Sequence, residues 1–398
     1  MKIVQINAVY GYGSTGVIVK DIQNACINMG WQCCVVYSQS NQEVHFGYHI
    51  GNLLSNKLHA ILTRISGKQG YFSFLSTYKL IKYLKAYKPD IVHLHNLHGN
   101  YINLPLLLTY LAKKDIKTVV SLHDCWFYTG GCSHYTAVKC SKWEENCGDC
   151  PRRYEEFPAI LWDSSKKQLE DRIKLFEAIK NLTVVGVSNW ITAEAAKNVF
   201  RSAKCLTIHN GIDINFFHPI KTDKIRYMYN LKGKFIILAP ANKWFQSVNA
   251  KTLEYFSNRL TDDMVMVFIG NGANKALLTK KMVDIGFVAS RERIREIYCS
   301  ADVMVNCTRE ESLSLLNVEV QACGTPVITY ANTGVKETVN EKCSFSVENG
   351  NPEKLWDVLM KIRERGKHSY SNDCVMWCRE RFDREKNYIK YLNLYKAL

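Results

Sequence analysis

The sequence predicts an α/β protein of two units, each a parallel β-sheet wrapped by helices, and three observations carry that prediction. Short β-rich runs alternate with helical stretches along most of the chain, the order that covers both faces of a parallel sheet with helices. The alternation comes in two series with a turn-rich segment between them, which implies two similar units and a crevice between them. The length of 398 residues, 47% apolar and 22% charged, suits two globular domains and excludes a disordered or collagen-like chain.

In chain order, the first series of strands is expected at 2–9, 33–38, 91–96, 118–123, 184–187 and 205–209. The second is expected at 235–239, 264–269, 302–306 and 326–330, with helices at 291–299 and 315–323 between strands. Asn210-Gly211 is a turn signal and Pro219 blocks a helix across the junction. The boundaries follow as 1–210 for the first domain, with a cysteine-rich insertion at 125–151, and 211–375 for the second. From about Met376, Phe382, Ile389, Leu392 and Tyr395 recur at helical spacing. They predict one amphipathic helix over 376–398 that crosses back to the first domain.

The longest apolar run, 104–111, is broken by Pro105, Thr109 and Tyr110 and is far below the roughly 20 residues that span a bilayer. The first nine residues alternate like a strand and lack the features of a signal peptide, so a cytoplasmic protein is expected. Fifteen cysteines are then read mostly as thiols packed in the core. The formal charge is +15, and residues 1–122 hold twelve Lys/Arg against four Asp/Glu. Between Val44 and Pro89 there is no carboxylate, while Lys57, Arg64, Lys68, Lys79, Lys82, Lys85 and Lys88 supply cations. An anionic partner is expected near this stretch. Nucleic acid is disfavoured, because these cations belong to no recognisable nucleic-acid module.

The strongest chemical signal is Glu311-Ser-Leu-Ser-Leu-Leu-Asn-Val-Glu319, running on to Gly324-Thr-Pro326. Gly324 is read as the helix cap and Pro326 as the start of a strand. A helix beginning near Ser314 and Leu315 presents free N–H groups that can hold a diphosphate. Glu311 lies before that helix and Glu319 more than a turn inside it. Ionised carboxylates accept paired hydrogen bonds, which suits the vicinal hydroxyls of a sugar or ribose. The competing reading is an acidic loop followed by an ordinary amphipathic helix.

This segment resembles the glutamate, seven residues, glutamate signature of retaining nucleotide-sugar glycosyltransferases of the GT-B fold, group 1 or family 4. Other pieces stand in the family's order: Gly11-Tyr-Gly13-Ser14-Thr15-Gly16, His209-Asn210-Gly211-Ile-Asp213, Gly270-Asn-Gly272 and Ala301-Asp302-Val303. The resemblance implies two Rossmann-like domains facing a central cleft, with acceptor on the first and donor on the second. It implies that Glu311 approaches the donor sugar and Glu319 the ribose. Gly13, Ser14, Thr15, Gly16, Asn210, Gly270, Ser314 and Leu315 would line the donor site. His123, in Ser121-Leu-His123-Asp124, resembles the family histidine that contacts the reacting sugar, and Asp124 would orient that imidazole or bind acceptor. The competing reading of His123 is a core histidine bonded to backbone.

Protein catalysis in such an enzyme is chiefly orientation and stabilisation of charge on the leaving diphosphate. Here the chain departs from the pattern. Where the family carries a Lys-Gly pair, this chain reads Ala239-Pro-Ala-Asn242-Lys243-Trp244, with Lys251 further on. The phosphate contact falls to Lys243 or to Lys251.

Cys132, Cys140, Cys147 and Cys150, ending in a Cys-x-x-Cys turn, suit a closed tetrahedral zinc site. Disulfide pairing and simple packing are the alternatives. A subset of bacterial exopolysaccharide glycosyltransferases resembles this insertion. Such a zinc would be structural, and no cofactor is expected for catalysis. Leu53, Leu54, Leu58, Ile61, Leu62 and Ile65 recur at helical spacing among cations, as in a helix that lies on an anionic membrane. The alternative is a basic helix packed on its own domain.

The reading that results is a retaining transferase moving a hexosyl group from a UDP- or GDP-linked sugar to a glycan or polyprenyl-diphosphate-linked acceptor. The setting is surface polysaccharide such as O-antigen or capsule, in the cytoplasm or on the inner-membrane surface. The alternatives are a catalytically inactive sugar-binding subunit at the membrane and a GT-B nucleotide-sugar epimerase or phosphorylase.

Overall fold

The computed structural model describes residues 1–155 and 159–398. The chain divides into two compact units, one formed by Met1–His209 together with Tyr388–Leu398, the other by Asn210–Asn387.

The first unit is a seven-stranded sheet of β1 (Lys2–Tyr10), β2 (Gln32–Ser40), β3 (Gly47–His49), β4 (Ile91–Leu94), β5 (Lys117–Leu122), β6 (Leu182–Gly186) and β7 (Lys204–Thr207). Its spatial order is β3-β2-β1-β4-β5-β6-β7, and every pairing is parallel. The central strands are buried because residues such as Ile3, Val92, Val119 and Val185 point into helices on either face. Tyr388, Tyr391, Leu392 and Tyr395 complete one of those cores against Ile3, Ile18, Ile22 and Val185. A polar pin runs through it. Tyr395 Oη lies 2.6 Å from His93 Nδ1, His93 Nε2 lies 2.8 Å from Ser121 Oγ, and that hydroxyl meets Tyr391 Oη at 2.9 Å.

The second unit repeats the pattern with β8 (Phe235–Pro240), β9 (Met264–Ile269), β10 (Met282–Gly286), β11 (Val303–Asn306), β12 (Val327–Tyr330) and β13 (Phe345–Val347). The order is β10-β9-β8-β11-β12-β13, again parallel throughout. Ile237, Met266, Phe268, Val305, Ile328, Leu355 and Leu359 fill its core. The indole of Trp244 donates to the Val305 carbonyl at 2.8 Å. The helix Leu315–Ala322 is tied to β11 by amides rather than by apolar contact alone. Asn306 Nδ2 donates to Asn317 Oδ1 at 2.8 Å, and Asn317 Nδ2 donates to Thr338 Oγ1 at 3.0 Å.

All ten expected strands are present within a few residues of their expected ends. The edge strands β3, β10 and β13 were not expected. They are short and half-exposed, and two of them carry glycine, so no apolar run marks them. The single helix expected over 376–398 is instead two, His368–Arg381 and Arg384–Ala397. The break has a capping cause: Asp383 Oδ1 accepts from Glu385 N at 3.0 Å, which restarts the helix. The backbone at the break pairs with Ile212, whose N–H donates to the Phe382 carbonyl and whose carbonyl accepts from Arg384 N. Gly211 is required there by close approach, because a Cβ would stand 2.3 Å from Arg384 Cα.

Replacing Asn317 by alanine strands two buried partners, Asn306 Nδ2 and Thr338 Oγ1. We expect it to destabilise the second unit by about 2–4 kcal/mol, measured as urea-induced unfolding followed by circular dichroism.

Candidate functional site

In open parallel sheets, ligands bind beyond the carboxyl ends of the strands where the strand order reverses. In the second unit that reversal falls between β8 and β11. The chain leaving β8 forms the short helix Ala241–Trp244 with Lys243 on it. β9 is followed by Gly270 and Gly272, both at positive φ, and a Cβ on Gly272 would stand 3.2 Å from Asn242 Cα. β11 is followed by Glu311 and the helix Leu315–Ala322. Lys243, Gly270, Glu311, Ser314 and Leu315 therefore share one sheet edge, with Glu319 in the second turn of the helix. Lys251 lies on the helix Ala250–Ser257 and is exposed.

Ser314 is the N-cap residue, yet its side chain does not cap the helix. Its hydroxyl accepts from Asn306 Nδ2 at 3.3 Å instead, so the first-turn N–H groups receive no acceptor from it. Glu311 has a buried Oε2 with no hydrogen-bond partner among the described residues. A free helix N–H group can donate to an anion, and an unpartnered carboxylate oxygen can accept from a hydroxyl. Glu319 is half-buried, and its Oε2 accepts from Tyr298 Oη at 3.1 Å. Burial pushes its carboxyl up to about 7, against the opposing pull of the Tyr298 hydroxyl and the nearby Arg291 guanidinium. Arg291 itself stacks 4.3 Å over the Phe216 ring. Tyr298 and Arg291 were not singled out from the sequence, since on a helix of mixed charge nothing in their spacing marks them. Asn210 is buried at the start of this unit, with its Oδ1 lacking a partner among the described residues.

In the first unit the reversal lies between β1 and β4. Gly11 and Gly13 take positive φ as the chain turns from β1 into the helix Gly13–Asn28, whose N-cap Tyr12 makes no side-chain cap. Gly13 and Ser14 are exposed, Thr15 is half-buried and Gly16 is buried against Val9. His95 follows β4 directly, and His123 and Asp124 follow β5. His123 Nε2 lies 3.0 Å from His95 Nδ1, while its Nδ1 is buried without a partner among the described residues. Burial lowers the His123 pKa to about 4, outweighing the upward pull of Asp124.

Asp124 does not hydrogen-bond the His123 imidazole. Its Oδ2 lies 2.9 Å from His98 Nε2, and its Oδ1 accepts from Trp126 N at 2.9 Å. Burial would raise this carboxyl, but the His98 ring and the Trp126 N–H outweigh it and hold it at about 2. Asp124 orients His98. The missed residues His95 and His98 do have a sequence signal, the run His93-Leu-His95-Asn-Leu-His98 at the end of a buried strand.

Cys132, Cys140, Cys147 and Cys150 line one small cavity with Trp143, Gly148 and Ser165. Backbone N–H groups of Gly130 and Arg152 point at the sulfurs of Cys147 and Cys150. Lys142 Nζ donates to the carbonyls of Gly148 and Asp149, fixing the turn between the last two cysteines. Nearby, Arg172 is fully buried, stacked 4.1 Å over Trp126, with Nε and Nη2 lacking acceptors among the described residues. Among the described residues, however, no three His, Cys, Asp or Glu side chains stand arranged to hold a metal ion. The thiols are gathered without forming a cage.

The carboxylate-free stretch forms the helices Leu53–Ser66 and Phe74–Tyr87. The first is inverted relative to a helix packed on its own domain. Its buried side chains are His59 and Thr63, whereas Leu54, Leu58, Ile61 and Ile65 form an exposed stripe, Leu54 at 80%. Leu75 on the second helix is 81% exposed. Exposed Ile160, Leu161 and Trp162 lie beside the end of the first helix, where Ile160 N donates to the Arg64 carbonyl at 2.7 Å. Among the described residues no helix is long and apolar enough to cross a membrane.

Comparison with known proteins agrees with this arrangement. Residues 15–216 match the model described as Glycosyltransferase Family 4, and residues 244–364 match Glycosyl transferases group 1. The chain is 21% identical over 357 residues to WcaC of Escherichia coli (strain K12), a protein named for a glycosyl transferase role in colanic acid biosynthesis. That match covers 86% of each chain. Among solved structures, sucrose-phosphate synthase from Thermosynechococcus elongatus superimposes with a TM-score of 0.70 at 14% identity, over 100% of this chain and 98% of that one. Alr3699/HepE of Anabaena, crystallised with UDP, gives 0.70 at 14% identity over 100% of both chains. The strand orders and the matched segments lead to one conclusion: this chain is a member of Glycosyltransferase Family 4 with the GT-B fold.

Proposed function

We propose that the protein transfers a hexosyl group, with retention, from a nucleotide-diphosphate sugar to a lipid-linked glycan in surface polysaccharide synthesis. The observation that carries this reading is the edge of the second unit's sheet. There a helix start without a side-chain cap is preceded by Glu311, whose Oε2 lacks a partner, and followed by Glu319. The helix N-terminus suits a diphosphate, Glu319 suits the two hydroxyls of a ribose, and Glu311 suits the sugar. Lys243, on the short helix after β8, is the cation for the leaving phosphate. In retaining transfer the departing phosphate oxygen takes the acceptor's proton as the new glycosidic bond forms on the same face. The protein's part is orientation and charge stabilisation. UDP-glucose is the first donor to test, because Alr3699/HepE was crystallised with it.

Two further parts belong to this reading. The exposed apolar stripe, flanked by Lys57, Arg64, Lys68, Lys79 and Lys82, is proposed to rest on an anionic phospholipid surface. Its apolar side chains would enter the headgroup region while the cations meet phosphate. The four gathered thiols are proposed to bind a structural zinc ion. Binding would draw the sulfurs together and give the buried Arg172 a negatively charged neighbour. Zinc would fix the loop after β5 and take no part in transfer.

Donor binding should depend on pH through Glu319. Ribose hydroxyls donate to the ionised carboxylate, so binding favours loss of its proton, and affinity should rise as pH climbs through about 7. Calorimetry with UDP-glucose should show tightening of about tenfold between about pH 6 and about pH 8. Glu319→Gln should flatten that dependence, and Glu311→Ala should lower turnover more than nucleotide affinity. Release of nucleoside diphosphate in the presence of acceptor separates transfer from simple sugar binding, and a pH-independent affinity would remove Glu319 from the donor site.

Sedimentation with vesicles tests the membrane surface. Phosphatidylglycerol vesicles should carry the protein down, neutral phosphatidylcholine should not, and Leu54→Asp with Leu58→Asp should abolish the effect without changing the melting temperature. For the metal, elemental analysis of purified protein should give one zinc per chain, reduced by Cys147→Ser. Protein free of zinc whose stability is unaffected by chelator rejects the site.

A further inference from the structure

Beside the candidate site of the first unit, one backbone carbonyl decides where three side chains hold their protons. Gln5 lies on β1 and is wholly buried. Its Nε2 donates to the Val19 carbonyl at 3.1 Å and to Cys33 Sγ at 3.4 Å. A carbonyl oxygen only accepts, so the amide cannot be turned over without setting two oxygens against each other. Gln5 Oε1 is therefore the atom that meets His95 Nε2 at 3.1 Å. That oxygen also only accepts, which places the His95 proton on Nε2 and leaves Nδ1 a bare lone pair.

His95 Nδ1 in turn stands 3.0 Å from His123 Nε2. Two lone pairs make no hydrogen bond, so His123 carries its proton on Nε2. What is left over is His123 Nδ1, a bare acceptor shut off from solvent and without a partner among the described residues. Other titratable groups surround the pair. The His93 ring lies 3.9 Å from that of His95, and Asp124 and His98 act on His123. Burial keeps both rings neutral near pH 7: desolvation is the largest influence on each and on His123 outweighs the upward pull of Asp124. A neutral histidine with its tautomer dictated from behind presents one defined lone pair.

We propose that Gln5 and His95 are positioning residues that hold His123 as its Nε2–H tautomer, so that Nδ1 accepts a hydrogen bond from a hydroxyl of the bound sugar. His123 then acts as an acceptor at that hydroxyl and does not donate a proton to it. That the hydroxyl belongs to a sugar rests on the glycosyl-transfer reading; the tautomer does not.

The test is nitrogen-15 labelling of the histidine rings in the full chain, read by long-range proton–nitrogen correlation near neutral pH, with His123 assigned from a His123→Gln spectrum. The expected result is a protonated Nε2 and an unprotonated Nδ1. The opposite tautomer, or rapid exchange between the two in the wild-type protein, overturns the proposal without any variant having to fold. Gln5→Leu should convert His123 to a mixture of tautomers. A Gln5→Leu protein whose His123 tautomer is unchanged shows Gln5 to be merely structural and overturns its role. Adding glucose should shift the Nδ1 resonance toward that of a hydrogen-bonded nitrogen. If the tautomer is as expected and this resonance does not move, the sugar hydroxyl is refuted while the tautomer relay stands.

Discussion

The hydrogen bond from Asn306 to Asn317 is the constraint on which the second unit's site depends. β11 delivers its chain to the sheet edge, and the helix that follows must begin there at a fixed height and rotation. Apolar packing alone allows such a helix to slide, because hydrophobic contact is not directional. Amides buried in the interface do not allow it, since any slide leaves Asn306, Asn317 and Thr338 unsatisfied. The same device draws the Ser314 hydroxyl away from the helix N–H groups. One buried network thus both sets the helix and keeps the Ser314 side chain from capping its amino end.

Buried polar atoms are nearly always paired, so the exceptions carry information. Glu311 Oε2 and His123 Nδ1 are such exceptions at the carboxyl edges of two different sheets. Each is held by a side chain whose other end is well fixed: His123 through His95 and Gln5, and Glu311 at the end of a loop whose carbonyl accepts from Thr333 Oγ1 at 2.6 Å. A ligand hydroxyl that fills such a position gains a hydrogen bond for which the protein has already given up solvent. Arg172 raises the same question beside the cysteine-rich segment with opposite sign, as a buried guanidinium whose Nη1 donates to the Thr129 carbonyl while Nε and Nη2 lack acceptors among the described residues.

The helix Leu53–Ser66 shows how a pattern of spacing can be correct and its direction undecided. Leu54, Leu58, Ile61 and Ile65 fall on one face in any helix of this sequence. That this face is turned outward follows from His59, whose Nδ1 pairs with Ser73 Oγ at 2.8 Å, and from Thr63, both buried beneath it. With His59 and Thr63 on the inner side, the apolar face is left exposed.

The sequence by itself determined the α/β class, the central strands and the two-series layout, because the alternation of apolar runs is a local property. It also determined that Glu311 precedes the helix after β11 and that Glu319 falls inside it, since both are local matters. The short edge strands and the break at Phe382 were not legible. Edge strands exist only because a neighbour offers hydrogen bonds, and the break depends on pairing with Ile212, far away in the chain. The partnership of Asp124 with His98, the raised carboxyl of Glu319 beneath Tyr298, and the relay through Gln5 were likewise decided by tertiary structure alone. Burial and hydrogen-bond geometry set those properties, and both come into being only when segments remote in sequence close upon each other.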